Sequence, residues 1–425
     1  MTRFAYALLW WLATPFVLLR LAWRSRRQPG YVERLGERFG NYEHAERVPR
    51  IWVHAVSVGE TRAAAPLIER LRGRYPDHRI LLTHMTPTGR EAGIALFGDR
   101  VERAWLPYDH GFATRRFIEN YAPVIGIVLE TEIWPRLLEE CARAAIPVVL
   151  ANARLSERSA RRYARAPALT RWALANLAGI AAQTEADAAR FASLGAARPA
   201  VTGNMKFDLA VPPAMIALGE RFRARFGATR RIWVAGSTRD GEEALLLDAY
   251  LAMPIDPAVL LVIVPRHPQR FDEVGTLAAE RGLGYERRSA QTQIGAQTRV
   301  VIGDSMGEML AYYEAAHVVI VGGSLLPFGS QNLIEACALG KPVIVGPSTY
   351  NFEEAAAGAL AAGAALRVAD AEGAIRAARE LTANESRRIE MGANARDFVA
   401  AHRGAVDRLV DWIATKIRGE RTSGA

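Results

Sequence analysis

Cysteine is almost absent from this 425-residue sequence, which contains two, Cys141 and Cys337. Both fall in segments that read as helices, so neither a disulfide framework nor a cysteine-rich zinc site is on offer. The chemistry therefore suits a reducing compartment. A balancing excess of acid is also lacking: 54 Lys and Arg face 45 Asp and Glu, for a net charge of +9. Such a balance attracts nucleic acid, anionic lipid or a phosphorylated substrate. Two arginine clusters carry much of it, Arg20, Arg24, Arg26 and Arg27, and Arg154, Arg158, Arg161, Arg162 and Arg165. No interleaved aromatics of the RNA-stacking kind accompany them, which makes nucleic acid the weaker reading. There is no short-period repeat and no Asp-x-Asp metal motif.

What is present begins at the N-terminus with FAYALLWWLATPFVLL, residues 4–19. With residues 21–23 it nearly reaches the ~20 residues a membrane-spanning helix needs. Trp10, Trp11 and Trp23 suit a membrane interface, and Pro15 is expected to kink the helix. The arginines follow the run, which points the rest of the chain to the cytoplasm. A signal peptide would carry its charges first, and a buried core helix is the plainer alternative to an anchor. Whether the helix spans or lies in the interface is left open.

From residue 50 short apolar runs alternate with amphipathic stretches. Strands are expected at 51–54, 80–83, 124–129, 148–151 and 180–183. After a linker-like TGNMKFDLAVPP at 202–213 they resume at 232–235, 259–264, 300–302, 318–321 and 342–345. The rhythm is βαβ and implies parallel sheets. The tail from 371 to 417 reads as wholly helical. A chain of this length suits two domains, and two similar α/β halves suggest a ligand cleft between them.

The strand ends hold the candidate chemistry. In VGGSLLPFGSQNLIEACALGKPVIVGP, residues 321–347, Gly322, Gly323 and Gly329 are expected to let the backbone approach a ligand. Ser330, Gln331 and Asn332 are expected to cap a helix whose N-terminus suits phosphate, and Glu335 on its first turn can accept ribose hydroxyls. The plainer reading gives the glycines to turns and Glu335 to the helix dipole. Arg266 and His267 follow another buried strand, where a fork onto phosphate competes with a structural turn between two prolines. The loop 303–309, with Met306, Gly307 and Glu308, offers backbone amides. In the first half, Glu60 follows a strand and opens a helix beside Gly59, a placement expected to favour its ionised form. A capping-turn glutamate is the plainer reading there. Glu130 and Glu132 end the strand before them, and Lys206 can reach a phosphate or a developing anion, against the bland view of a surface lysine.

Taken in order, HAVSVGE at 54–60, ETEIWP at 130–135, TGNMKFD at 202–208, VPRHP at 264–268, the loop at 303–309 and GGS…QNLIEACALGKPVIVGPSTYNFEE at 322–354 resemble the 3-deoxy-D-manno-octulosonic acid (Kdo) transferases. The apolar anchor and the YVERLGERFG stretch match too, so the resemblance covers essentially the whole chain. It implies an α/β GT-B fold: two Rossmann-like domains facing across a cleft, with an N-terminal membrane-anchor helix. The expected division is an anchor at 1–27, an acceptor-binding domain at 28–208 and a CMP-Kdo-binding domain at 209–425. It implies transfer of Kdo from CMP-Kdo to a lipid A precursor, lipid IVA, at the cytoplasmic face of the inner membrane. By motif match Glu60 is similar to the general base, and Glu130 and Lys206 to transition-state stabilisers. Arg266, His267, Met306, Gly307, Glu308, Asn332, Leu333, Ile334 and Glu335 are similar to the CMP-binding positions. No metal and no cofactor are expected. The implied partners are CMP-Kdo, the lipid acceptor and an anionic membrane surface, whose phosphates the arginines at 154–165 can meet; nucleic acid is not among them. One departure is LLPFGSQN, where many relatives carry a Gly-Gly-His-type sequence.

Rival readings are a lipid-directed GT-B transferase using a UDP-sugar, a UDP-sugar epimerase of similar fold, and a non-catalytic membrane scaffold. The number of Kdo residues added, the acceptor position and the oligomeric state are not legible.

Overall fold

The computed structural model describes residues 3–26, 28–290 and 292–417. Arg27 of the first arginine cluster lies outside the described residues. The chain divides into two compact units, Met1–Asp208 with Arg403–Ala425, and Leu209–His402.

The first unit is built on a seven-stranded, wholly parallel sheet. Its strands are β1 (Arg50–His54), β2 (Arg79–His84), β3 (Glu102–Trp105), β4 (Ile125–Leu129), β5 (Val148–Ala153), β6 (Gly179–Ala182) and β7 (Ala200–Val201). They lie in the order β3-β2-β1-β4-β5-β6-β7. Central strands such as β1 and β4 are buried from end to end, as expected where helices cover both faces. Ile51, Val53, Ile127 and Leu129 feed the core on one face, and Trp52, Val128 and Leu150 the core on the other. That is the period-two alternation of a strand.

The second unit repeats the plan. Its strands are β8 (Arg231–Thr238), β9 (Val259–Pro265), β10 (Tyr285–Arg287), β11 (Val300–Ile302), β12 (Val318–Val321), β13 (Val343–Val345) and β14 (Ala365–Arg367). Their order is β10-β11-β9-β8-β12-β13-β14, again all parallel. In each sheet the strand order reverses once, between β1 and β4 and between β8 and β12. Such reversals open a crevice beyond the carboxyl ends of the strands.

Four strands go beyond the sequence expectation: β3, β7, β10 and β14. The helical tail is as expected, running Ala371–Ala383, Glu385–His402 and Ala405–Ala414. Its last helix corrects the expected extent of the second domain, 209–425. Val406, Leu409, Val410 and Ile413 bury themselves in the first unit's core with Ile51 and Ile68. The Asp208 carboxylate accepts from the N–H groups of Gly404 and Val406, both at 2.6 Å, and fixes the start of that helix. The expected linker is correspondingly shorter, because Met205–Asp208 forms a 3₁₀ turn belonging to the first unit.

The N-terminal run forms one helix, Arg3–Ser25, continuous through Pro15. It is long and apolar enough to cross a membrane.

Candidate active site

In the first unit Glu60 and Glu130 follow β1 and β4, the two strands at the reversal. Glu60 lies in the helix Val58–Ala63, capped by Ser57. Its backbone N–H reaches the Ser57 hydroxyl at 3.4 Å, the Ser57 hydroxyl donates to Glu60 Oε1 at 3.1 Å, and the Val56 N–H donates to Oε2 at 2.8 Å. This is a reciprocal capping turn, so the plain structural role of Glu60 is real. It does not exhaust the residue. Burial pushes the Glu60 carboxyl up to about 7, and the Glu130 charge pushes the same way, against the Val56 hydrogen bond. The helix N-terminus was expected to favour the ionised form. Desolvation outweighs it.

Glu130 occupies the left-handed region at φ 58°. Its N–H donates to the Ala151 carbonyl at 3.0 Å, continuing the β4–β5 pairing past the strand end. The turn it makes aims its side chain at Lys206, with Nζ 2.9 Å from Oε1 and both side chains about four-fifths shielded from solvent. Lys206 is therefore no free surface lysine. Glu132 accepts from Trp134 Nε1 at 3.0 Å, and burial raises its carboxyl above the usual range. Three carboxylates and one ammonium thus share the first unit's strand ends.

Asn152 belongs with them and was not foreseen. It is buried, sits at φ 49° where β5 slips register against β6, and its Oδ1 accepts from the Met205 N–H at 3.0 Å. It holds the turn that carries Lys206, one residue beyond the carbonyl that receives Glu130. Its Nδ2 is buried with no partner among the described residues. Asparagine is among the few side chains that tolerate the left-handed region.

The second unit presents different groups at its own reversal. After β12, Gly322 meets a packing demand. A Cβ there would lie 2.5 Å from the Ser237 carbonyl oxygen, so the close passage of β8 demands glycine. Gly329 combines φ 86° with side chains of Tyr350 and Asn351 where a Cβ would sit. The loop between them is held by Glu242, fully buried at the start of the helix after β8. Its carboxylate accepts from Gly323 N–H at 2.6 Å, Leu325 N–H at 2.9 Å and Arg239 N–H at 2.9 Å. Nothing in the sequence marked it, because a glutamate in the first turn of a helix looks like any dipole partner.

Asn332 and Glu335 meet as expected of neighbours on a turn, Asn332 Nδ2 donating to Glu335 Oε1 at 3.0 Å. The helix itself is shorter than expected, Ile334–Ala338, and no side chain of 330–332 caps its first turn in the usual way. Asn332 Oδ1 accepts from Ile334 N–H at 3.1 Å instead. Leu333 and Ile334 are fully buried, backbone included. Ser330 sits at φ 70°, a backbone conformation that favours glycine.

Arg266 and His267 follow β9, and the Arg266 N–H donates to Thr238 at the end of β8. Partial burial and the charges of Arg239, Arg266 and Arg270 hold the His267 imidazole below its usual range. Arg239, the first residue past β8, stacks over Phe328 at 4.7 Å and joins this basic group unforeseen. In the loop after β11, Met306 is exposed, Gly307 has φ 81° and Glu308 binds Arg288 at 2.7 Å. Of the second arginine cluster, Arg158, Arg161, Arg162 and Arg165 are exposed on or beside the helix Glu157–Ala164.

Comparison with known proteins agrees with this division. A family model described as 3-deoxy-D-manno-octulosonic-acid transferase (kdotransferase) matches residues 33–209, and one described as glycosyl transferases group 1 matches 246–398. The 3-deoxy-D-manno-octulosonic acid transferase of Bordetella pertussis is 44% identical over 418 residues, covering 94% of this chain and 96% of the relative. That of Haemophilus influenzae is 37% identical over 419 residues, covering 97% and 98%. Among solved structures, the UDP-GlcNAc 2-epimerase of Neisseria meningitidis superposes with a TM-score of 0.60 at 16% identity, over 86% of this chain and all of that one. Anabaena HepE with UDP and glucose gives 0.58 at 14%, over 86% and 98%. These two likenesses speak to the fold alone, which is the GT-B kind. The sequence matches speak to more: this chain belongs to the 3-deoxy-D-manno-octulosonic acid transferase family and is a glycosyltransferase.

Proposed function

We propose that the chain transfers Kdo from CMP-Kdo to a hydroxyl of a phosphorylated lipid A precursor, lipid IVA, at the cytoplasmic face of the inner membrane, with Glu60 as general base. The observation that carries this reading is the Glu60 carboxyl, pushed up to about 7 beside Glu130 while Lys206 holds Glu130 at 2.9 Å. A base working near neutral pH needs such a value. Glu60 takes the proton of the acceptor hydroxyl as that oxygen forms its bond to the anomeric carbon of Kdo. The bond from that carbon to the CMP phosphate oxygen breaks, and CMP leaves with the electron pair. Lys206 with Glu130 offsets charge developing at the reacting centre.

On the donor side, the family supports an activated Kdo, and the strand ends of the second unit supply what a nucleotide monophosphate asks for. Arg266, His267 and Arg239 are cations or donors for the phosphate. Backbone N–H groups of the 306–308 turn and of Asn332 are donors for the phosphate or base, and Glu335 is an acceptor for ribose hydroxyls. The exposed arginines 158–165 suit the phosphates of the acceptor or its membrane.

Mass spectrometry after incubation with lipid IVA and either CMP-Kdo or UDP-GlcNAc tests the reading. A product heavier by Kdo, formed only from CMP-Kdo, is expected. Turnover of the UDP-sugar alone would overturn the donor assignment, and a Kdo product on a non-lipid acceptor alone would overturn the acceptor.

A further inference from the structure

The helix Arg3–Ser25 passes every test of length and composition for crossing a membrane. Its 23 residues span about 35 Å against about 30 Å of hydrocarbon. Its contacts describe another geometry. Along one side, polar and aromatic groups reach the first unit from end to end. Arg3 Nη1 lies 3.0 Å from Glu139 Oε1. The Tyr6 hydroxyl donates to Asp109 Oδ2 at 2.6 Å, and Thr14 Oγ1 lies 2.8 Å from His110 Nε2. The Trp10 ring packs on Trp134 and Tyr108 at centroid distances near 6 Å. Leu21 is buried with Tyr31 and Tyr108, and Arg24 stacks over Tyr31 at 4.9 Å. Positions 3, 6, 10, 14, 21 and 24 fall on one helical stripe.

The receiving side is built for this contact. Asp109 is buried and holds Tyr6 together with the N–H groups of Arg136 and Leu137 at 2.9 and 2.8 Å. A helix standing across a bilayer would strip Tyr6 and Thr14 of these partners and leave the buried Asp109 carboxylate short of one donor. Unmet polar groups in a low-dielectric surrounding cost several kcal/mol each. The opposite side is apolar: Phe4, Leu8, Leu9, Trp11, Leu12, Phe16, Leu19 and Trp23 are all exposed, Phe4 and Phe16 by three-quarters. Trp11 stacks on the half-exposed Phe112 at 5.9 Å, so this surface continues onto the unit itself. Arg20, Arg24 and Arg26 are exposed at the far end, and the helix contains no acid.

We propose that this helix lies flat in the interface of an anionic phospholipid leaflet, latched lengthwise to the first unit through Tyr6–Asp109 and Thr14–His110, and does not cross the bilayer. The apolar side enters the acyl boundary while the arginines meet headgroup phosphates, the arrangement of interfacial helices. A leaflet is the occupant this face fits, because an apolar strip ending in exposed arginines matches a lipid surface in both respects. The inference stands apart from the transfer reaction, and its tests read no activity.

The full chain, tagged ahead of Met1, is expressed in bacteria, and sealed vesicles exposing the two units outward are treated with protease. The flat geometry predicts removal of the tag without detergent; a tag protected until detergent is added overturns the proposal. The Tyr6→Phe, Thr14→Val double variant is then melted while bound to phosphatidylcholine–phosphatidylglycerol vesicles. A lower unfolding temperature than wild type is expected, and an unchanged one means the latch is not engaged on the membrane. Phe16→Asp is expected to lose at least tenfold in affinity for the same vesicles with its unfolding temperature kept, and wild type to bind neutral vesicles more weakly. Undiminished binding in either case removes the leaflet from this face.

Discussion

The two units share one plan, a seven-stranded parallel sheet with a single reversal, and place opposite chemistry at the same topological point. The first gathers carboxylates there, Glu60, Glu130 and Glu132, and lets burial and the Glu130 charge push protons onto Glu60 and Glu132. The second also brings an acid to its reversal, Glu242, but surrounds it with backbone N–H donors, so it organises a loop. Arginines and a histidine then crowd the neighbouring strand ends. A strand end in this architecture is only a position. Whether it serves as base or scaffold depends on how many donors the backbone points at the carboxylate.

The contrast is broken most severely by Glu60→Gln. Loss of the base is expected to lower kcat about 10²–10⁴-fold, with CMP affinity retained in calorimetry. Its stability should move the other way. A carboxyl held above its unfolded value weakens the fold as pH rises through the ordinary carboxyl range to about 7, so the glutamine variant should melt no lower than wild type at pH 8. Glu242→Ala attacks the other side. Several buried N–H groups lose their acceptor, and destabilisation of about 2–5 kcal/mol is expected in chemical denaturation, together with weaker CMP binding. Equal loss of stability with CMP binding untouched would show that the loop does not serve the donor.

A finer probe is the pH profile of kcat/KM, which should fall on the acid side below about 7 as Glu60 takes up its proton. Lys206→Met leaves the Glu130 charge unopposed, which raises the Glu60 value further and should move that limb to higher pH. A limb that stays in place would exclude coupling between the pair and the base. The smallest effect is expected from Asn152. With its side chain cut to alanine, the turn carrying Lys206 loses an anchor, and kcat should fall several-fold with a shift of the limb in the same direction. A purely structural asparagine would change the unfolding temperature and leave the limb alone.

Much of this was legible because central parallel strands are written as unbroken apolar runs. The run at 259–264 admits little else, and Glu60, Glu130 and Arg266 were found simply by reading the residues that follow such runs. Edge strands escaped for a physical reason. Glu102–Trp105 reads as polar because Glu102 is answered across the sheet edge by Arg50 and Arg79. Tyr285–Arg287 and Ala200–Val201 are too short to show any period. Asn152 escaped because a side chain's task at a register slip depends on which turn lies above it, and that turn comes 53 residues later. The glycines were legible only in part. Gly322, read as room for a ligand, also makes room for the neighbouring strand.

The return of the last helix to the first unit has a consequence for how the protein is made. The start of that helix is tied to Asp208 across 198 residues of sequence. A ribosome adding roughly 5–20 residues per second takes about 10–40 s to cover that distance. Until then the first sheet has emerged and the faces that will receive Leu409 and Ile413 stand bare. The whole second unit can fold meanwhile. The half that is synthesised first is therefore the half completed last, and it is the one in need of shelter during synthesis.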